Sequence, residues 1–168
     1  METLSIRIEN APELYAHAIA IEREAAARYL ELGECMRDLG NDTVGELFLR
    51  LAALERGHEK ELLEHAAGLR LPNIPTGDHA WIDTEVPQVG SHELVMRLIT
   101  SRCALQIALD AERRAKAFFE SATREAQDPE LAALAAGMAA EECEHVLWVE
   151  QLMARTPDSG VDWDQLFC

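Results

Sequence analysis

The chain has 168 residues, 48% hydrophobic and 27% charged, enough for a single domain with a real core and too apolar for a disordered chain. Aromatics make up only 5%, while Ala, Leu, Glu and Arg abound, which favours helix and argues against a β-sandwich. Fifteen Lys and Arg against 31 Asp and Glu give a net charge of −16, so nucleic acid and anionic membranes are excluded as expected partners.

Met1 to Arg7 contain no apolar run and carry an early acid, so no secretory signal is expected. The first helix is predicted over 11–39, closed by Gly40-Asn41, two residue types that tolerate left-handed backbone. The second, over 43–67, begins at a capping-box pattern, Thr43-x-x-Glu46. Residues 69–90 hold Pro72, Pro75, Gly77, Pro87 and Gly90 and cannot form one helix. The third helix is predicted over 91–126 with Ser91 as N-cap. Asp128-Pro129-Glu130 then restarts a fourth over 129–154. A short C-terminal segment, 161–168, is expected to dock Trp163, Leu166 and Phe167. No stretch is apolar enough to span a bilayer. Cys35, Cys103, Cys143 and Cys168 are scattered with no C-x-x-C pair, which argues against a zinc ribbon or disulfide scaffold and for a reducing cytoplasm.

Short, long, short connections predict an all-α four-helix bundle: two antiparallel hairpins joined by a long crossover, one domain over 1–168. The halves resemble each other. In one, Glu22 precedes Tyr29 by two helical turns; in the other, Glu112 precedes Phe119. Each half then carries a Glu-x-x-His, Glu55 to His58 and Glu142 to His145. Every helix interrupts its apolar stripe with acid near its middle: Glu22 between Ala18 and Ala25, Glu55 and His58 between Leu51 and Leu62, Glu112 between Ala108 and Ala115, Glu142 and His145 between Met138 and Val149. Four carboxylates facing one core would lose hydration and repel one another. Two divalent cations would neutralise them. The i, i+3 spacing lets Glu and His reach one ion, and carboxylate with imidazole suits iron or manganese, whereas structural zinc more often takes thiolates. Glu22, Glu55, His58, Glu112, Glu142 and His145 are therefore the candidate ligands of two metal ions, expected to be iron, with manganese or zinc as replacements.

Over residues 11 to 155 this pattern resembles the rubrerythrin and ferritin-like di-iron carboxylate superfamily, most closely in the segment from Glu22 to Tyr29. The resemblance implies that Glu22 and Glu112 are terminal ligands, that Glu55 and Glu142 bridge the metals, and that His58 and His145 bind one metal each. It implies that Tyr29 hydrogen-bonds a ligand carboxylate across the bundle. The chain departs from typical rubrerythrins in three ways. It has no rubredoxin-like C-x-x-C segment, Ala115 stands where they carry a further Glu, and Phe119 stands where a second Tyr would be expected. The six-ligand set is closer to bacterioferritin-like sites.

The function expected from this resemblance is a redox reaction of a diferrous centre with peroxide or O₂, of peroxidase or ferroxidase type, in oxidative stress. It would use an external electron donor, and a homodimer is expected. Iron storage in a shell and a structural metal pair are the alternatives. His65, on the His58 stripe, is a candidate to line an ion path, with a hydrogen-bonded core histidine or a helix-end cap as the plainer readings. Glu24, Glu59, Glu141 and Glu144 read as solvated surface, Cys143 as a packing residue, and Cys35 and Cys103 as buried small apolars. His17, His79 and His92 carry no spacing signal.

Overall fold

The structure, a computed structural model, describes residues 8–75 and 100–156. Helix α1 spans Ala11–Asp38. The Asn10 side chain accepts from the Glu13 amide at 3.0 Å, and Pro12 lies in the first turn, where its missing N–H costs nothing. At the far end Gly40 takes a positive φ of 79°. The Gly40 amide donates to the Arg37 carbonyl and the Asn41 amide to the Met36 carbonyl, the paired bonds of a Schellman motif. Asn41 is also the N-cap of helix α2 (Asp42–His65), its side chain accepting from the Val44 amide at 3.4 Å. The helix thus starts ahead of Thr43, where the capping-box pattern put it; the short amide side chain of Asn41 already serves the free N–H groups.

Helix α3 spans Ser101–Glu125. Its N-cap is Thr100, in extended conformation, with Oγ1 accepting from the Cys103 amide at 3.2 Å. The predicted start at Ser91 lies outside the described residues, but extended backbone at Thr100 means that the helix carrying Glu112 begins at Ser101. An unbroken apolar period from Leu94 onward hides this cap in the sequence. Helix α4 spans Pro129–Arg155, capped by Asp128 as the Asp-Pro-Glu signal implies. Most of the crossover, the C-terminal segment, His79, His92 and Cys168 fall outside the described residues.

The architecture is the four-helix bundle of two hairpins that the sequence predicts: α1 packs along α2 and α3 along α4, and the hairpins meet through α2 with α3 and α1 with α4. Within the first hairpin the helices touch at Gly33 and Gly45. A Cβ on Gly45 would stand 2.9 Å from the Gly33 carbonyl oxygen, so only glycine allows this approach.

The apolar core is divided. One cluster gathers Tyr29, Met36, Phe48, Leu51, Leu105 and Val149; the other gathers Leu14, Ile21, Leu62, Phe119, Leu131 and Met138. Each draws on all four helices, and the acids lie between them in sequence on every helix. Among the described residues no helix is long and apolar enough to cross a membrane.

Candidate metal centre

Helix α1 contributes Glu22, α2 Glu55 and His58, α3 Glu112, and α4 Glu142 and His145. The four acids are 3% to 6% exposed, as buried as the leucines around them. The imidazoles form the wetter side of the layer, with side chains 30% exposed at His58 and 21% at His145. His58 Nδ1 lies 3.3 Å from Glu55 Oε2 and 3.7 Å from Glu22 Oε2. His145 Nδ1 repeats the pattern, 3.3 Å from Glu142 Oε2 and 3.4 Å from Glu112 Oε2. The two rings stack on each other, centroids 4.2 Å apart and planes within 10°.

Two clusters of potential ligands result, Glu55 with His58 and His145, and Glu112 with Glu142 and His145, the donor atoms of each lying within 4.8 Å. They share His145, an arrangement consistent with a dimetal site. Glu22 belongs to neither cluster, although it approaches His58.

The electrostatics show what such a layer costs. Burial pushes the Glu22 carboxyl well above the usual range, and Glu55, Glu142 and Glu112 add to it. Burial likewise raises Glu112, to about 8. At Glu55 burial also opposes the charge, but hydrogen bonds from His58 and Glu22 prevail and hold the carboxyl below its ordinary value. The bond to Glu55 raises His58. Burial disfavours a charged His145, yet the pull of Glu112 and Glu142 outweighs it and takes the imidazole to about 10. Protons therefore do the neutralising here. They do it incompletely: His145 Nδ1 is buried and, among the described residues, has no aligned hydrogen-bond partner despite its two carboxylate neighbours. A buried nitrogen facing carboxylate oxygens without a bond fits a metal cation, which would use the nitrogen lone pair and the oxygens together. The donor set fits iron.

Tyr29 Oη donates to Glu112 Oε1 at 3.5 Å across the bundle. Its ring stacks on Phe48 at 6.0 Å, and its hydroxyl is held protonated by burial and the nearby carboxylates. Phe119, the counterpart of Tyr29, is buried in the other cluster, and so is Ala115.

A cavity of about 180 Å³ reaches this layer. Glu55, His58, Glu112 and His145 line its polar part; Leu51, Leu54, Trp148 and Val149 line the rest. Nothing in the apolar periodicity marked Leu54 and Trp148, which lie off the core stripes. His17 was also missed: it is 7% exposed and tilts against Phe118 at 5.8 Å. His65 is the last residue of α2 and is exposed. Glu141 and Glu144 are exposed as expected, whereas Glu59 pairs with Arg23 at 2.7 Å and ties α1 to α2. Cys35, Cys103 and Cys143 are partly buried free thiols, less enclosed than the reading of Cys35 and Cys103 as core residues implied.

Comparison with known proteins agrees with this architecture. The rubrerythrin family model matches residues 13–91, which include Glu22, Tyr29, Glu55 and His58. A solved structure of an uncharacterized conserved protein from Magnetospirillum magnetotacticum MS-1 is 32% identical, with a TM-score of 0.72, covering 90% of this chain and 99% of that one. No curated protein matches the chain. With a fold shared along nearly the whole of that relative, and with paired Glu-x-x-His helices crossing a divided core, the chain belongs to the same family as that uncharacterized conserved protein and carries a rubrerythrin-family domain over residues 13–91.

Proposed function

We propose that the chain binds two iron ions through Glu22, Glu55, His58, Glu112, Glu142 and His145, and that in its ferrous form it reduces hydrogen peroxide or O₂. The observation that carries this reading is His145, shared by two ligand clusters inside a layer of four buried acids, with a buried Nδ1 that has no hydrogen-bond partner among the described residues. Bound ferrous iron supplies the electrons for the oxidant. The carboxylates balance the charge of the ions, and ion binding displaces the protons that Glu22, Glu112 and His145 otherwise hold. Tyr29 fixes the orientation of Glu112 through its hydroxyl. The apolar clusters on either side keep bulk water from the layer. An external donor restores the ferrous state, and the working unit is a homodimer in the cytoplasm.

Metal analysis should find two ions per chain after anaerobic loading with ferrous salt. Titration with hydrogen peroxide should then oxidise the bound iron faster than the same iron free in buffer. Oxidation no faster than free iron overturns the redox reading, and an elution volume of a large cage would favour storage.

A further inference from the structure

The cavity over the Glu/His layer has a composition that its role as a metal site does not require. Leu51 and Val149, each 1% exposed, form its inner apolar walls. Leu54 at 43% and Trp148 at 39% are exposed lining residues and form its rim. Leu54 directly precedes Glu55, and Trp148 lies one turn after His145, so the ligand helices themselves set the rim in place. Superposing the two Glu-x-x-His motifs pairs Leu54 with Glu141 and Trp148 with Glu61, both exposed acids. In a chain of net charge −16, each pair of equivalent positions thus holds one apolar residue and one acid, and the apolar member of each pair lines the cavity.

An ion crossing an apolar rim gives up hydration without replacement, whereas a small neutral molecule does not. A cavity of about 180 Å³ holds hydrogen peroxide or O₂ with a few waters. We propose that the opening between Leu54 and Trp148 is the entrance for the oxidant, and that Trp148 determines specificity by admitting small neutral oxidants and rejecting hydroperoxides with bulky organic groups. This rests on the redox reading above. The oxidant takes two electrons from the ferrous pair and two protons from solvent; hydrogen peroxide leaves as two waters, an organic hydroperoxide as an alcohol and water.

Two measurements test the entrance. The first needs no metal: the apoprotein is exposed to a short pulse of hydroxyl radicals, which attack the imidazole ring whether or not it is protonated, and oxidative labelling of His145 is followed by mass spectrometry with exposed His65 as internal reference. Trp148→Ala should raise the ratio of His145 to His65 labelling about fivefold or more, with Leu54→Ala in the same direction, because the rim no longer covers the imidazole. An unchanged ratio overturns the entrance. The second compares hydrogen peroxide with cumene hydroperoxide on the ferrous-loaded protein. Trp148→Ala should lower the preference for hydrogen peroxide about tenfold, a loss of about 1.4 kcal/mol of discrimination, with Trp148→Phe between it and the parent. An unchanged preference overturns the specificity role. Melting curves establish that each variant is folded, and Trp148→Phe keeps the test valid if the alanine variant is not. If the parent protein fails to react with peroxide while labelling still responds to Trp148, the redox reading fails and the entrance stands.

Discussion

Burial raises the Glu112 carboxyl from 4.5 to about 8, and the pull of Glu112 and Glu142 on His145 raises that imidazole from 6.5 to about 10 against the opposing effect of burial. In both cases the folded, metal-free protein holds a proton that the unfolded chain releases earlier. For Glu112 the window runs from 4.5 to about 8, and for His145 from 6.5 to about 10, so the stability of the apoprotein falls as pH rises through these ranges. Thermal melts of chelator-treated protein should give a Tm that declines steadily from pH 5 to 9. Glu112→Gln should flatten the decline between pH 5 and 8 and raise Tm at the upper end, while reducing metal content below two ions. A Tm that is flat or rises over this range in the parent protein would contradict the assignment. The site was legible at this scale because an acid inside an apolar stripe breaks the period that surrounds it, as Glu22 does between Ala18 and Ala25. The rim was not, since an exposed Leu or Trp is ordinary on any protein surface and gains meaning only from what lies beneath it.

At the scale of the helices, close packing in the first hairpin depends on Gly33 and Gly45, while Gly137 on α4 has open space around its Cβ position. A methyl group on Gly45 would stand 2.5 Å from Arg37 Cγ and 2.9 Å from the Gly33 carbonyl. The arginine stem can swing aside; the carbonyl belongs to helix backbone and cannot. Gly45→Ala should therefore cost about 1–3 kcal/mol in chemical denaturation, as overpacking does. Gly137→Ala should instead stabilise by about 0.5–1 kcal/mol through helix propensity alone. Equal effects from the two substitutions would show that the close approach is not what Gly45 serves. Helix existence and hairpin pairing were legible from period, Gly40-Asn41 and Asp128-Pro129. The starts of α2 and α3 were not, because Asn41 and Thr100 act as caps through single side-chain bonds that leave no period to read. The glycine contact was equally hidden, since a helical glycine in sequence signals only weak propensity.

Across the whole molecule, each hairpin brings three of the six candidate ligands, and contacts between hairpins are sparser than those within them. Ions held by both hairpins should thus act as a clamp at the least packed interface. Ferrous iron at about a hundred times its dissociation constant should add about 2.7 kcal/mol and raise Tm by roughly 5–10 °C. Hydrogen exchange should slow most in the amides flanking Glu55 and Glu112, on the helices through which the hairpins meet. Protection confined to one hairpin would mean that the ions do not join the two. The divided core also bears on how the chain reaches its native state. Neither apolar cluster can be completed by one hairpin, because each takes side chains from all four helices. The local turns at Gly40 and Asp128 let each hairpin form early through contacts close in sequence, whereas docking must close a loop that spans the crossover. That late step buries both clusters and the four acids together, so the protein acquires its hydrophobic core and its capacity to capture cations in the same kinetic event.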